Sequence, residues 1–298
     1  MPPRSHPYSR LLAIIQTVDN NLKKLNLRKL LLLISIAFAG ILNSYGQESK
    51  IEYGNNLDAG HYAEVNGIKL YYEVYGEGDP LLLIHGNGGS IRGHAGKIEY
   101  FKKKYKVIAT DSRAHGKTED IGDSLTYKNM TSDINELLNL LKIDSCYIWG
   151  QSDGGIIGLR LAMDFPDKVK KLAIFGANLK PDTSAVHKSI VNWVDENSKK
   201  TKDNHEKRLF DLLKFQPQIE YSELGKIQIP VLIMSGDRDA IRLEHSVEIF
   251  NHIENSNLFI MPGATHFGSY EKPDLFNLIL NDFFTKPFSK KATIDIFK

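Results

Sequence analysis

The stretch Tyr147–Pro166, YIWGQSDGGIIGLRLAMDFP, holds one serine hemmed in by glycines at the exit of a short apolar run. SCYIWG reads as a buried strand, and the residues after Ser152 read as a helix that Pro166 stops. Gly150-Gln151-Ser152-Asp153-Gly154 therefore fits G-x-S-x-G at a strand-to-helix junction. In such a turn, side chains two positions either side of the serine would collide with the neighbouring strand and helix. Glycines there remove the collision, lift the serine oxygen clear of the sheet and point the next backbone N–H at the atom under attack. Ser152 is the candidate nucleophile.

A serine hydroxyl is a poor nucleophile without a base, so the reading depends on partners further along the chain. VLIMSGDRDA ends an apolar run with Asp237 and Asp239, and LFIMPGATHF ends the next with His266. Serine, acid and histidine then follow one another in the order this turn requires. His266 is the candidate base and Asp239 the preferred orienting acid, with Asp237 read as a loop-turning residue. Two donors are needed for a developing oxyanion. Asp153 N–H supplies one, and Asn87 N–H, in the loop His85-Gly86-Asn87 after LLLIHG, supplies the other. His85 precedes the serine, which is the wrong order for a base, and reads as shaping its loop.

The remaining pattern is strand, strand, then alternating strands and helices. HYAEVNGIKLYYEVYG has two half-alternating runs about Asn66-Gly67, a hairpin signal. PLLLIHG, YKVIATDSR, KKLAIFGA and PVLIMSGD are continuous apolar runs suited to strands covered on both faces. In NMTSDINELLNLLKI, Met130, Ile134, Leu137, Leu138 and Leu141 recur at helical spacing. The alternation predicts an α/β fold with a mostly parallel sheet and helices on both faces. Between Ala177 and Ile229 the strand pattern stops and charged, helix-prone sequence takes over, too long for a crossover and read as a small helical insertion.

The chain has 298 residues, 42% hydrophobic and 25% charged, with a formal net charge of +2. Neither this charge nor any motif points to nucleic acid. Lys23, Lys24, Arg28 and Lys29 precede the apolar segment LLLLISIAFAGIL and then NSYGQ. These are the parts of a secretory signal peptide, expected to be cleaved after Gly46, giving export to a periplasm or beyond. The uncharged stretch Leu30–Gln47 is also long enough to serve as an uncleaved membrane anchor. Cys146 is the only cysteine, so no internal disulfide is available, and its apolar surroundings mark it as core packing.

HGNGG, DSRAHGKT, GQSDGG, GDRD and GATH occur in the order seen in α/β-hydrolase fold enzymes, and the resemblance spans Tyr62 to Phe284. It implies that Asp111, Arg113, His115 and Gly116 form a structural turn after the fourth strand. It also implies that residues about 180–225 are a cap over the active site, within a hydrolase domain covering 47–298. Trp193, Phe210, Leu213 and Phe215 then either line an acyl pocket or simply pack the cap helices on the sheet.

A closer similarity lies in GQSDGGIIGLRLAMDFPDKVKKLAIFGANLKPD, which resembles the biphenyl hydrolase-like (valacyclovir hydrolase) group. Those enzymes cleave esters of α-amino acids, and an acidic residue just after the nucleophile holds the substrate's amino group. Asp153 occupies that position; the alternative reading is an acid favoured by the helix dipole alone. Gly86 and Trp193 complete the expected substrate contacts. Gln151 departs from the group, which often carries tryptophan there, and the insertion shows no comparable match.

Ser152 excludes relatives of this fold that use aspartate as nucleophile, the haloalkane dehalogenases and epoxide hydrolases. The expected activity is cleavage of small carboxylic esters through an acyl-enzyme. Aminopeptidase or amidase chemistry, carbon–carbon bond hydrolysis and a non-catalytic binding module stand as alternatives. No cofactor or metal is implied.

Overall fold

A computed structural model describes residues 51–122 and 124–297. The leader expected over residues 1–46 lies outside them. Eight strands among the described residues form one sheet: β1 (Gly60–Val65), β2 (Ile68–Tyr75), β3 (Asp79–Ile84), β4 (Tyr105–Thr110), β5 (Cys146–Gln151), β6 (Val169–Phe175), β7 (Val231–Gly236) and β8 (Ser256–Met261). Their spatial order is β1-β2-β4-β3-β5-β6-β7-β8. β1 and β2 pair antiparallel through the Asn66-Gly67 hairpin, both turn residues at positive φ, and β2 runs antiparallel to β4. From β4 to β8 all pairs are parallel.

Eight α-helices among the described residues accompany them: α1 (Ala95–Phe101), α2 (Tyr127–Leu140), α3 (Asp153–Asp164), α4 (Lys188–Lys200), α5 (Asn204–Phe215), α6 (Leu243–Asn251), α7 (Gly268–Glu271) and α8 (Pro273–Thr285). None of the described helices is long and apolar enough to cross a membrane. The strand Leu81-Leu82-Leu83-Ile84 shows why continuous apolar runs were needed. Leu82 and Ile84 pack with α2 and α3 on one face, Leu81 and Leu83 with α1 and α8 on the other. All four are fully buried, each contributing about 1.5–3 kcal/mol of burial. Cys146 is a buried free thiol whose burial pushes its pKa to about 12, in keeping with a packing role.

Buried charges are tied to fixed partners. Arg113 is held bidentate by Asp133, with Nε to Oδ2 at 2.8 Å and Nη2 to Oδ1 at 2.9 Å, and Asn66 Nδ2 donates to the same carboxylate at 3.0 Å. This clasp joins the β4 exit, α2 and the hairpin. Asp111 accepts from Ile91 N and Lys117 N, both at 2.8 Å, so it fastens the loop after β3 to the turn after β4. The structural reading of this turn holds.

The insertion is helical, with α4, α5 and a 3-10 turn at Tyr221–Lys226. Asp203 caps α5 through His205 N and Glu206 N. Arg208 and His205 pair with Asp120, while Gln216 Oε1 accepts from Tyr127 N at 3.3 Å, so α5 docks on the segment leading into α2. Phe210 is buried, whereas Phe215 is 58% exposed and faces solvent, against its reading as a packed residue. Its neighbour Leu212 takes the buried position instead.

Asp133→Ala removes the carboxylate that balances the buried Arg113 charge. It is expected to cost about 3–5 kcal/mol of folding stability, measured by denaturant unfolding.

Candidate active site

The parallel strands deliver their carboxyl ends to one edge, and the predicted site residues sit there. Ser152, between β5 and α3, has φ 52° and ψ −116°, a conformation L-residues adopt only under constraint. The constraint comes from both sides. A Cβ on Gly150 would lie 2.2 Å from Gly154 O, and one on Gly154 would lie 2.1 Å from Ile84 O. Ser152 N donates to Phe175 O at 2.8 Å, locking the turn to the end of β6.

His266 follows β8 and Asp239 follows β7. His266 Nδ1 donates to Asp239 Oδ1 at 2.6 Å. The Asp239 carboxylate also accepts from Ile241 N at 3.0 Å, Gly236 N at 3.3 Å and Ser235 Oγ at 3.2 Å. Burial opposes its charge, but His266 and these donors hold its pKa below the usual carboxylate range. For His266, burial lowers the pKa, and the Asp239 charge and hydrogen bond, with Asp153 further off, outweigh it and raise it. Asp237 is exposed and accepts from Gly263 N at 2.9 Å and Ala264 N at 3.3 Å. It staples the β8 loop to the β7 loop and leaves the histidine to Asp239.

The loop after β3 closes on the serine. A Cβ on Gly86 would come within 3.0 Å of Ser152 Cβ, so Gly86 lets this backbone approach. Among the described residues no backbone carbonyl outside the helices and strands accepts from Asn87 N–H or Asp153 N–H, and Asp153 N–H lies against its own carboxylate. His85 is buried, donating from Nδ1 to Gly86 O at 2.7 Å and accepting at Nε2 from Ser112 N at 3.0 Å. Burial and nearby His115 push its pKa down to about 3, so it stays neutral and shapes the loop.

Comparison with known proteins agrees with this architecture. The model of the alpha/beta hydrolase fold family matches residues 79–214. Human serine hydrolase BPHL is 27% identical over 256 residues, covering 78% of this chain and 88% of the relative. The putative carbamate hydrolase RutD of Azorhizobium caulinodans is 35% identical over 115 residues, 38% of this chain and 43% of that one. The α/β hydrolase MGS-M2, from a Medee basin deep-sea metagenome library, superposes with a TM-score of 0.70 at 19% identity, covering 78% of this chain and all of that one (100%). The enol-lactonase of Burkholderia xenovorans LB400 gives 0.65 at 22% identity, over 76% of this chain and 100% of that one. The chain has the α/β-hydrolase fold, and its relatives mark it as a hydrolytic enzyme.

The hydrolase buries Asp153, the first residue of α3, almost completely. Burial pushes its pKa up to about 6, against the hydrogen bond from Asn87 Nδ2 at 3.1 Å, the Tyr127 hydroxyl nearby and the charge of His266. The same Asn87 amide donates to Leu209 O of α5 at 3.3 Å, so the insertion reaches the loop beside the serine. Trp193 is half-exposed on α4, its ring 5.5 Å from that of Phe210. Its ring contact lies within the insertion.

Two positioning residues carry no sequence signal strong enough to find them. Gln151 donates from Nε2 to His266 O at 2.7 Å and accepts at Oε1 from Ser269 Oγ at 2.8 Å, tying the serine turn to the histidine loop. Its departure from the related group's residue was the one hint. Gly176, at φ +63°, leaves room for the imidazole, because a Cβ there would sit 2.7 Å from His266 Nδ1 and Cε1. Gly176→Ala is expected to displace the ring and lower the hydrolysis rate of p-nitrophenyl acetate on the order of 100-fold. Circular dichroism should show the fold retained.

Proposed function

We propose that this hydrolase cleaves small carboxylic esters through an acyl-enzyme, with α-amino acid esters as the preferred class. The His266–Asp239 hydrogen bond at the edge that carries Ser152 is the observation that supports the chemistry. His266 Nε2 takes the Ser152 Oγ proton as the oxygen bonds to the ester carbon. The carbonyl oxygen, now negative, lies against Asn87 N–H and Asp153 N–H. The C–O bond to the alcohol breaks as His266 returns the proton to the departing oxygen. Water, deprotonated by His266, then attacks the acyl-serine, and the proton passes back to Ser152 as the acid leaves. Asp239 holds the imidazole tautomer and stabilises the imidazolium.

The preference for an α-ammonium group rests on the Asp153 carboxyl. One carboxylate beside the nucleophile attracts a cation and penalises neutral or anionic acyl groups. Likeness to a serine hydrolase over most of both chains supports this reading, as does the acid at position 153. The basic, apolar and small-residue order of the leader supports export, with cleavage near Gly46, as the place of action.

The test compares L-alanine ethyl ester with N-acetyl-L-alanine ethyl ester, using Ser152→Ala as the blank. The free amine should be preferred, and Asp153→Asn should reduce that preference on the order of thirtyfold or more. Equal rates in the unaltered enzyme would overturn the amino acid preference and leave a general esterase. No serine-dependent turnover of either ester would overturn the ester chemistry itself.

Two pH dependences separate the groups. The raised pKa of His266 means that protonation removes the base as pH falls, so kcat/KM on the N-acetyl ester has an acid limb with its midpoint above 6.5. The ratio of the two esters cancels that limb. It should fall as pH drops through about 6, where Asp153 becomes neutral and loses its attraction for a cation.

A further inference from the structure

Helix α1 buries a lysine that takes no part in the ester chemistry. Lys97 is 4% exposed, and among the described residues no carboxylate pairs with it. Lysine is almost never buried in that way, because an ammonium loses its hydration and gains nothing in return. Here Nζ lies against three aromatic rings instead, 4.0 Å from the centroid of Tyr270, 5.3 Å from that of Phe276 and 6.0 Å from that of Trp149. A cation at such distances is attracted by the negative ring faces, most strongly by the nearest. Gly93, on the turn before α1, leaves room for Tyr270, since a Cβ there would lie 3.3 Å from its hydroxyl. Methionine would fill a similar volume without burying a charge, so the ammonium calls for a reason.

The three rings belong to the segments that carry the serine and the histidine. Trp149 is on β5, three residues before Ser152, and Phe276 of α8 packs on it edge-on with centroids 4.6 Å apart. Tyr270 is on α7, four residues after His266. This short helix splints the histidine turn. Tyr270 N donates to Phe267 O at 2.8 Å, and Glu271 accepts from Thr265 N at 2.9 Å and Thr265 Oγ1 at 2.6 Å. Ser269 Oγ donates to Gln151 beside the serine at 2.8 Å. The Lys97 contact joins the same helix to α1. Two ionisable groups face the ammonium, His94 on the turn before α1 and Tyr270 on α7, while α8 and β5 present Phe276 and Trp149. Burial, with the Lys97 and His85 charges, holds His94 well below the ordinary histidine range, and burial pushes Tyr270 up to about 12. Both are neutral near pH 7, which leaves Lys97 as the charge among these groups.

We propose that Lys97 is a positioning residue for catalysis: its ammonium, held against Tyr270, Phe276 and Trp149, anchors α7 and so keeps His266 aligned with Ser152. The inference rests on the reading that His266 is the base. A helix of four residues has little stability of its own and takes its place from contacts such as this one. A neutral side chain of similar size keeps the packing but loses the attraction to the ring faces. Displacing the imidazole by about 1 Å is enough to slow the attack. The proton on Lys97 is therefore a condition for full activity. Burial lowers its pKa to about 7, so the hold is complete below that value and weakens as pH rises through it.

The experiment uses Lys97→Met and Lys97→Arg with N-acetyl-L-alanine ethyl ester, and Ser152→Ala as the blank. At pH 6, Lys97→Met should lower kcat on the order of tenfold with KM unchanged, while Lys97→Arg, which keeps a cation over the rings, should stay within about twofold of the parent. The parent's kcat/KM should step down to a lower plateau as pH rises through about 7. Lys97→Met should lack that step, and Lys97→Arg should stay high beyond it. Hydrogen exchange of residues 265–271 should be faster in Lys97→Met than in the parent. Its thermal unfolding at pH 6 should nonetheless be at or above the parent's, because the cost of a buried ammonium is fully present below pH 7 and has been removed. Unchanged kcat and exchange in Lys97→Met overturn the proposal and mark Lys97 as packing only. An alkaline step that survives in Lys97→Met also overturns it, as does an equal loss of kcat in a folded Lys97→Arg. If His266→Ala leaves turnover intact, the reading of His266 has failed instead, and the exchange of residues 265–271 then decides on Lys97 alone.

Discussion

The close approach of three backbone segments at Gly150, Ser152 and Gly154 is the constraint on which the rest of the structure depends. With no Cβ at either glycine, α3 can start directly over the end of β5 while the carbonyl of Ile84 lies against Gly154. The positive φ of Ser152 follows from this crowding, and the hydrogen bond to Phe175 O fixes it. A strained turn of this kind persists only where its surroundings over-determine it. Here they do: β3 and β6 flank β5, and the buried face of α3 seals the turn from above.

The same edge separates its ionisable groups by environment. His85 and His266 follow strands of one sheet, yet one is driven to about 3 and the other is raised. The difference is a carboxylate. His85 has a carbonyl and an N–H for partners in an enclosed loop, while His266 has Asp239 at 2.6 Å. Two acids diverge in the same way. Asp239 is surrounded by donors and stays ionised, whereas burial pushes Asp153 up to about 6 against the Asn87 amide and the Tyr127 hydroxyl. In the proposed mechanism, groups pushed apart in this manner let one small site hold a base and an ammonium acceptor at once.

The insertion contributes more than cover. Its docking pairs with Asp120, the Gln216 clamp on α2 and the Asn87 bond to Leu209 O make it continuous with the loop that bears a proposed oxyanion donor. Residues whose apolar character suggested a pocket lining divide differently. Phe210 anchors the insertion and Leu213 is half-buried, while Phe215 and part of Trp193 face water.

Much was legible in the chain itself. Apolar runs of the right length, the Asn66-Gly67 turn and the glycines about Ser152 report local backbone needs, which neighbours in sequence satisfy. They determined the order of strands and helices, the strand-to-helix turn, and the succession of Ser152, an acid and His266. Other features depend on contacts between residues far apart. The pairing of β2 with β4, the preference of His266 for Asp239 over Asp237, the space left by Gly176, the Gln151 tie and the meeting of Tyr127 with Asp153 belong to this group. A side chain's partner across 26 or 115 positions, such as Asp237 with Gly263 or Gln151 with His266, is set by where packed strands end and loops turn back. Periodicity and turn chemistry carry no record of that, so only the tertiary structure decided it.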